Sequence, residues 1–267
     1  MENIHFDRNA THSLILVALV IVFEEELGKE ELKKIEAVGP EMSESFPQRE
    51  AKHSINFSVE EGSNSTPAQK FAGWKLSAPS ELEDNLPDWQ LEVDPARCVL
   101  RTLAYTNWQQ FIDQASAYLE EFFQKSELTD TPIQEFSVQF VDRFYWTMKD
   151  EDYSLGKIFN PGSSLFSESV RTQSSPLWHI FQGWKKEANE RSYIENINVS
   201  TTHTEGEELH RNDIVHVIRC IQGKPTESNC FNVPALREIA QYAHVENKKV
   251  LNDLLSQQAI ERIRLNK

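Results

Sequence analysis

The residues best suited to chemistry lie in the second half of the chain. Asp142 and Arg143 adjoin inside "IQEFSVQFVDRFYW", whose period-two pattern predicts a strand. Alternation puts Asp142 on the face carrying Phe136, Val138, Phe140, Phe144 and Trp146, and Arg143 on the other. A carboxylate among aromatic rings needs a partner, or else desolvation raises its pKa into a range useful for acid–base work. The plainer expectation is a structural ion pair or a hydrogen bond to backbone. Further on, "THTEGEELHRNDIVHVIRC" crowds His203, Glu205, Glu207, Glu208, His210, Asp213 and His216 around one hairpin, whose turn could bring His203 near His210. Imidazole with carboxylate suits a divalent transition metal. The glutamates, however, occupy an exposed turn, and His216 shares its strand face with Ile214, Ile218 and Cys220, the setting of a satisfied core histidine. Neither a metal nor a cofactor is expected. Asp142, Arg143, His203, His210 and Asp213 remain the candidate ligand-binding residues, and no catalytic residue is assigned.

No Walker A, GxGxxG, GxSxG or HExxH pattern occurs, and no Cys pair has zinc-ligand spacing. The three cysteines, Cys98, Cys220 and Cys230, are far apart and read as reduced thiols, the first two in apolar strands where packing is their expected role. Tyr105 and Trp108 flank the start of the clearest helix, whose N-terminus could receive an anion; a cap plus packing is expected instead.

The formal net charge of −15 repels phosphate backbones and anionic membranes, and favours a partner with a basic surface. Acidic clusters at Glu24, Glu25 and Glu26, at Glu81, Glu83, Asp84 and Asp88, and at Asp150 to Asp152 are the candidate interaction surface. Direct nucleic-acid binding would require Arg101, Arg143, Lys185, Lys186 and Arg191 to gather on one face.

Elements that position these residues follow from the pattern. The apolar run "LILVALVIVF" (Leu14 to Phe23) is about ten residues, short of the roughly 20 that span a bilayer. Acidic residues on both sides do not fit a secretory leader, so a cytoplasmic protein is expected. Its β-branched residues favour a strand, and its two apolar faces predict cover on both sides. A helix follows from Lys29, with Gly39 and Pro40 expected to break or kink it. Short strands are expected around Ile55, Trp74, Leu91 and Val99, with "DPAR" (Asp94 to Arg97) turning the last two into a hairpin. Thr106 and Gln109 fit a capping box for the helix that carries Phe111, Ile112, Ala115, Leu119, Phe122 and Phe123.

From Ile133 a second series runs: strand, a Ser-rich stretch with a short helix, three strands, and a long helix from about Pro234. The fold class is therefore α+β, with two related halves in the order β-α-β(3-4)-α, each an antiparallel sheet backed by a long helix. The halves are expected at residues 1–130 and 131–267, as two domains or one compact unit.

"LILVALVIVFEEE", Phe46-Pro47, Gly73-Trp74, "YTNW" (Tyr105 to Trp108) and "VQFVDRF" (Val138 to Phe144) together give a resemblance. The chain resembles a sporadically distributed bacterial family of proteins of unknown function, over most of its length. Where that family carries Arg-Tyr-x-Asn-Arg, this chain has Gln139-Phe140-Val141-Asp142-Arg143. Patchy distribution implies genes that move between genomes, as defence and toxin-neutralising modules do. The expected function is a non-enzymatic, cytoplasmic interaction or regulatory component of a bacterial defence or toxin–antitoxin-like module. Its partner would be a protein, and a homo-oligomer is compatible with the sequence. The alternative is a small-molecule sensor or enzyme with a pocket between sheet and helix, or between the halves.

Overall fold

The computed structural model describes residues 4–5, 13–56, 68–80, 86–147, 154–172, 177–203, 209–221 and 229–265. In chain order the strands and helices are β1 (Ile4–His5), β2 (Leu14–Phe23), α1 (Lys29–Glu41), β3 (Gln48–Asn56), β4 (Ala68–Pro79), β5 (Pro87–Val93), β6 (Arg97–Thr102), α2 (Trp108–Lys125) and β7 (Ile133–Thr147). They continue with α3 (Glu168–Arg171), β8 (Trp178–Ala188), β9 (Arg191–His203), β10 (Leu209–Ile221), α4 (Val233–Leu254) and α5 (Gln257–Ile263). The fold is mixed α+β. Its strands lie in the order β3-β4-β5-β6-β2-β7-β10-β9-β8, with β1 paired off this path to β7. Among the described residues no helix is long and apolar enough to cross a membrane.

By contacts the chain divides into two compact units. One is Ala18–Ser137 with Ile221–Glu238; the other is Met1–Val17 with Val138–Cys220 and Ile239–Lys267. The division falls inside β2, β7, β10 and α4, rather than between elements.

In the first unit, Leu19, Ile21 and Phe23 of β2 are buried, whereas Val20 and Val22 are only half-buried. Ala18, on the face of Val20 and Val22, is buried as well, so both faces carry buried residues and the Leu19 face is the more tightly packed. The packed side is the one facing α2, where Phe23 meets Phe123 edge-on at 6.5 Å. The other side, with Val20 and Val22 half-buried, is shielded in part.

The hairpin at Asp94 forms as expected, with Asp94 and Arg97 exchanging backbone bonds and the Asp94 carboxylate accepting from Ala96 N and Arg97 N. Helix α1 runs through Gly39 and Pro40 and ends at Glu41, so the expected break comes two residues later. Gly39 instead makes room for a ring: a Cβ there would sit 2.3 Å from the Trp74 indole, whose Nε1 donates to Ile35 O at 2.8 Å. The cap of α2 is also displaced by one residue. Asn107, not Thr106, is the N-cap, and its side chain accepts from Gln110 N at 2.9 Å. Both residue types cap well, and the extended backbone of Asn107 (φ −155°, ψ 163°) decides between them. Asn107→Ala is expected to lower stability by about 1 kcal/mol, read from the urea unfolding midpoint.

In the second unit, β8 and β9 pair without a register shift from Trp178↔Thr201 to Ala188↔Arg191. Asn189 and Glu190, both at positive φ, make the two-residue turn that suits the twist of a hairpin. Phe144, Phe159, Trp178, Ile197, Ile214 and Leu254 belong to one buried apolar cluster. Alternation puts Tyr193, Glu195, Ile197 and Val199 of β9 on its buried side, together with His210, Asn212, Ile214, His216 and Ile218 of β10.

Candidate functional site

That buried side carries more charge than an apolar core tolerates unpaired, and the charges are connected. Asp142, on β7, is 3% exposed among aromatic neighbours. Its Oδ1 accepts from Ser13 Oγ at 2.6 Å, while Oδ2 is buried with no hydrogen-bond partner among the described residues. Burial pushes this carboxyl up to about 6, against the Ser13 bond and the attraction of His216. His216, on β10, is likewise buried, with Nδ1 3.0 Å from Asn247 Oδ1 and Nε2 3.5 Å from Glu195 Oε2. Each ring nitrogen thus faces an acceptor oxygen.

Glu195 has no exposed surface. Its Oε1 lies 3.0 Å from Lys186 Nζ, which in turn is 2.6 Å from Glu246 Oε2 on α4. Glu246 Oε1 holds Lys249 at 2.6 Å. Burial raises the carboxyls of Glu195 and Glu246, but their neighbours outweigh it: His216 and Lys186 for Glu195, Lys186 and Lys249 for Glu246. Both end below the usual carboxylate range. Burial lowers Lys186, yet Glu246 and Glu195 together hold it above its ordinary value. Carboxylate, ammonium, carboxylate and imidazole form one chain of paired charges beneath a groove of about 430 Å³ between β8 and α4, lined by Gln182, Trp184, Lys186, Glu246, Lys249 and Asp253, among others. Such an arrangement can orient a polar ligand. Its charges already answer one another.

Five residues singled out in the sequence fall in different places. Asp142 and His210 lie on the buried side. Arg143 and Asp213 take the opposite side, where they meet each other: Arg143 Nε donates to Asp213 Oδ1 at 2.7 Å and Nη2 to Oδ2 at 3.2 Å. Arg211 adds a second cation 2.8 Å from Asp213 Oδ2. None of the four lines the groove. The side chain of His203 lies outside the described residues. His216 is the hydrogen-bonded core histidine that its strand pattern indicated. Glu195 was missed, although "SYIENINVST" carries the same signal as Asp142, one acid on an otherwise apolar alternating face.

Glu24, Glu25 and Glu26 are exposed, and Asp88 is half-buried; Glu81, Glu83, Asp84 and Asp150 to Asp152 lie outside the described residues. Lys186 sits on the buried side and Arg143 on the other, so the cations needed for a nucleic-acid face are split. Among the described residues no group of three or more His, Cys, Asp or Glu side chains could hold a metal ion. Cys98 and Cys220 are buried cysteines outside any disulfide, and burial pushes the Cys98 thiol up, away from reactivity.

No family model matches the chain, and no curated protein matches it.

Proposed function

We propose that this chain is a non-enzymatic interaction protein, a regulatory or neutralising component of a bacterial defence or toxin–antitoxin-like module. One observation carries the reading: the acidic turn after β2 is presented by a fixed backbone. Phe23 N bonds Ala96 O at 3.0 Å, Glu24 N bonds Pro132 O at 3.0 Å, and Leu27 N bonds Pro95 O at 2.8 Å. Three consecutive exposed carboxylates are thus held between anchored ends, which reduces the ordering entropy that a basic partner would otherwise have to overcome. The net charge of −15 favours the same class of partner, and the resemblance to a patchily distributed bacterial family supplies the biological setting.

The reading of two related halves draws support from the strand order. In each half the first strand lies beside the last strand of its own antiparallel series: β2 beside β6, and β7 beside β10. A helix between first and second strands and a long helix at the end recur in both.

The test is native mass spectrometry of tagged protein purified from its bacterial host. Wild type should carry a stoichiometric protein partner, and the triple variant Glu24→Lys, Glu25→Lys, Glu26→Lys should lose it, with affinity falling roughly tenfold or more. A partner retained in full by the variant would overturn the acidic turn as its site. A second reading is favoured by the groove over Lys186 and Glu246: a small-ligand sensor. It requires a small additional mass on the intact chain.

A further inference from the structure

Trp89 on β5, the segment after β6 and the first turns of α2 enclose a cleft of about 540 Å³, a size that suits a small organic ligand. Aromatic rings make its walls. Trp89 stacks on the buried Phe111 with centroids 5.7 Å apart and planes 7° from parallel, and Tyr105 lies 6.3 Å from Phe111 at 50°. Trp89 and Tyr105 are only half-buried, so part of each ring is available to a ligand.

The polar edge is equally defined. Gln110 Oε1 accepts from Thr106 Oγ1 at 2.5 Å and from Asn107 Nδ2 at 2.7 Å, which fixes the carboxamide with its oxygen inward to the cap. Its Nε2 then keeps two N–H donors with no partner among the described residues, and Gln110 lines the cleft together with Gln114. Among the described residues no lysine or arginine lines it. Asp113, the one charged residue among the described lining, is held below the usual carboxylate range by bonds from Gln109 and from Arg237 at 2.7 Å.

We infer that this cleft binds a planar, uncharged heterocycle bearing carbonyl or ring-nitrogen acceptors, of the nucleobase class, and that it excludes phosphates. Aromatic faces supply stacking, which tolerates any flat ring. The Gln110 amide supplies the directional contact and demands an acceptor on the ligand edge. Among the described lining residues a phosphate finds a carboxylate and no cation, in a chain of net charge −15. The sequence had raised an anion at this helix start, and the lining opposes one. The site is independent of the acidic turn, so either can fail without the other.

The experiment titrates the full chain with guanosine and uridine, and with their 5′-monophosphates, following tryptophan emission and heat. Saturable quenching by at least one nucleoside is expected, with its monophosphate roughly tenfold weaker or worse. The discriminating variant is Gln110→Glu. Glu at the third helical position keeps the capping box, so the melting temperature should hold or rise. It replaces both donors by an acceptor, so nucleoside affinity should drop roughly tenfold or more. Tyr105→Ala should weaken binding by a similar factor through lost stacking. Absence of saturable nucleoside binding at millimolar concentration overturns the proposal, as does unchanged affinity in Gln110→Glu or tighter binding of the monophosphates.

Discussion

Gly73→Ala is expected to lower stability by at least about 3 kcal/mol, from backbone strain and a clash together. Gly73 lies at φ +134°, a region that side-chain-bearing residues rarely adopt. The register explains why. Lys52 pairs with Gly73 and His53 with Phe71, so Ala72 is an extra residue in β4 and the strand bulges there. A Cβ on Gly73 would stand 1.9 Å from Val93 O, a backbone atom of β5. Val93 cannot yield, because it is buried, pairs with Cys98 and leads into the bonded Asp94–Arg97 turn. Trp74 next to it is anchored on Gly39 and Ile35, so the Gly73-Trp74 pair locks β4 to α1. Urea unfolding followed by tryptophan emission reads the effect. Gly156→Ala is the control, since among the described residues its Cβ would meet nothing nearer than 3.5 Å, and it should change stability by less than about 1 kcal/mol. Equal midpoints for Gly73→Ala and wild type would contradict the bulge.

Asp142→Asn is expected to stabilise the protein at pH 7.5 by about 2 kcal/mol and to flatten its pH dependence between about 4 and 6. Burial lifts the Asp142 carboxyl from its ordinary value of 3.8 to about 6, despite the Ser13 bond and the attraction of His216. The folded state therefore binds this proton more tightly than the unfolded state does. Its contribution is fully present below pH 4, is lost as pH rises through 6, and stays lost above. Tighter proton binding of this size corresponds to about 3 kcal/mol, and the buried Asn amide, which finds no acceptor where Oδ2 stood without a partner, offsets part of the gain on substitution. Asn retains an oxygen for Ser13 Oγ. Glu195 and Glu246, held low by Lys186, act in the opposite sense and lose stabilisation as pH falls. The difference between variant and wild type at pH 5 and pH 7.5 cancels them. A variant less stable than wild type at pH 7.5, with an unchanged slope, would mean that Asp142 is ionised and held by partners.

Much of the fold was legible where one signal dominated. The β-branched run from Leu14 to Phe23 is β2 with those bounds, and the aromatic stripe from Phe111 to Phe123 is the buried face of α2. The faces of Asp142 and Arg143 followed from alternation alone. Errors came where two local signals competed. Thr106 and Asn107 are both good caps, and Gly39 reads as a helix break when it in fact admits the Trp74 ring.

Periodicity is a local property of the backbone, so the order of residues suffices to say which side chains share a face of each element. It suffices too for the acid excess, and for the acids that interrupt apolar faces at Asp142 and Glu195. Partners were another matter, because strand order brings together residues that lie far apart along the chain. Placing β10 beside β7 joined Arg143 to Asp213, 70 positions on, and removed both from the free cations and acids that the sequence displayed. Packing of α4 gave Lys186 its second carboxylate, Glu246, 60 positions away. The fold of α2 against β5 and β6 made a cleft from Trp89, Tyr105 and Gln110, residues with no shared pattern in the sequence. These pairings exist only in the folded chain, since a charge or ring acquires a role from the groups placed within a few ångströms of it.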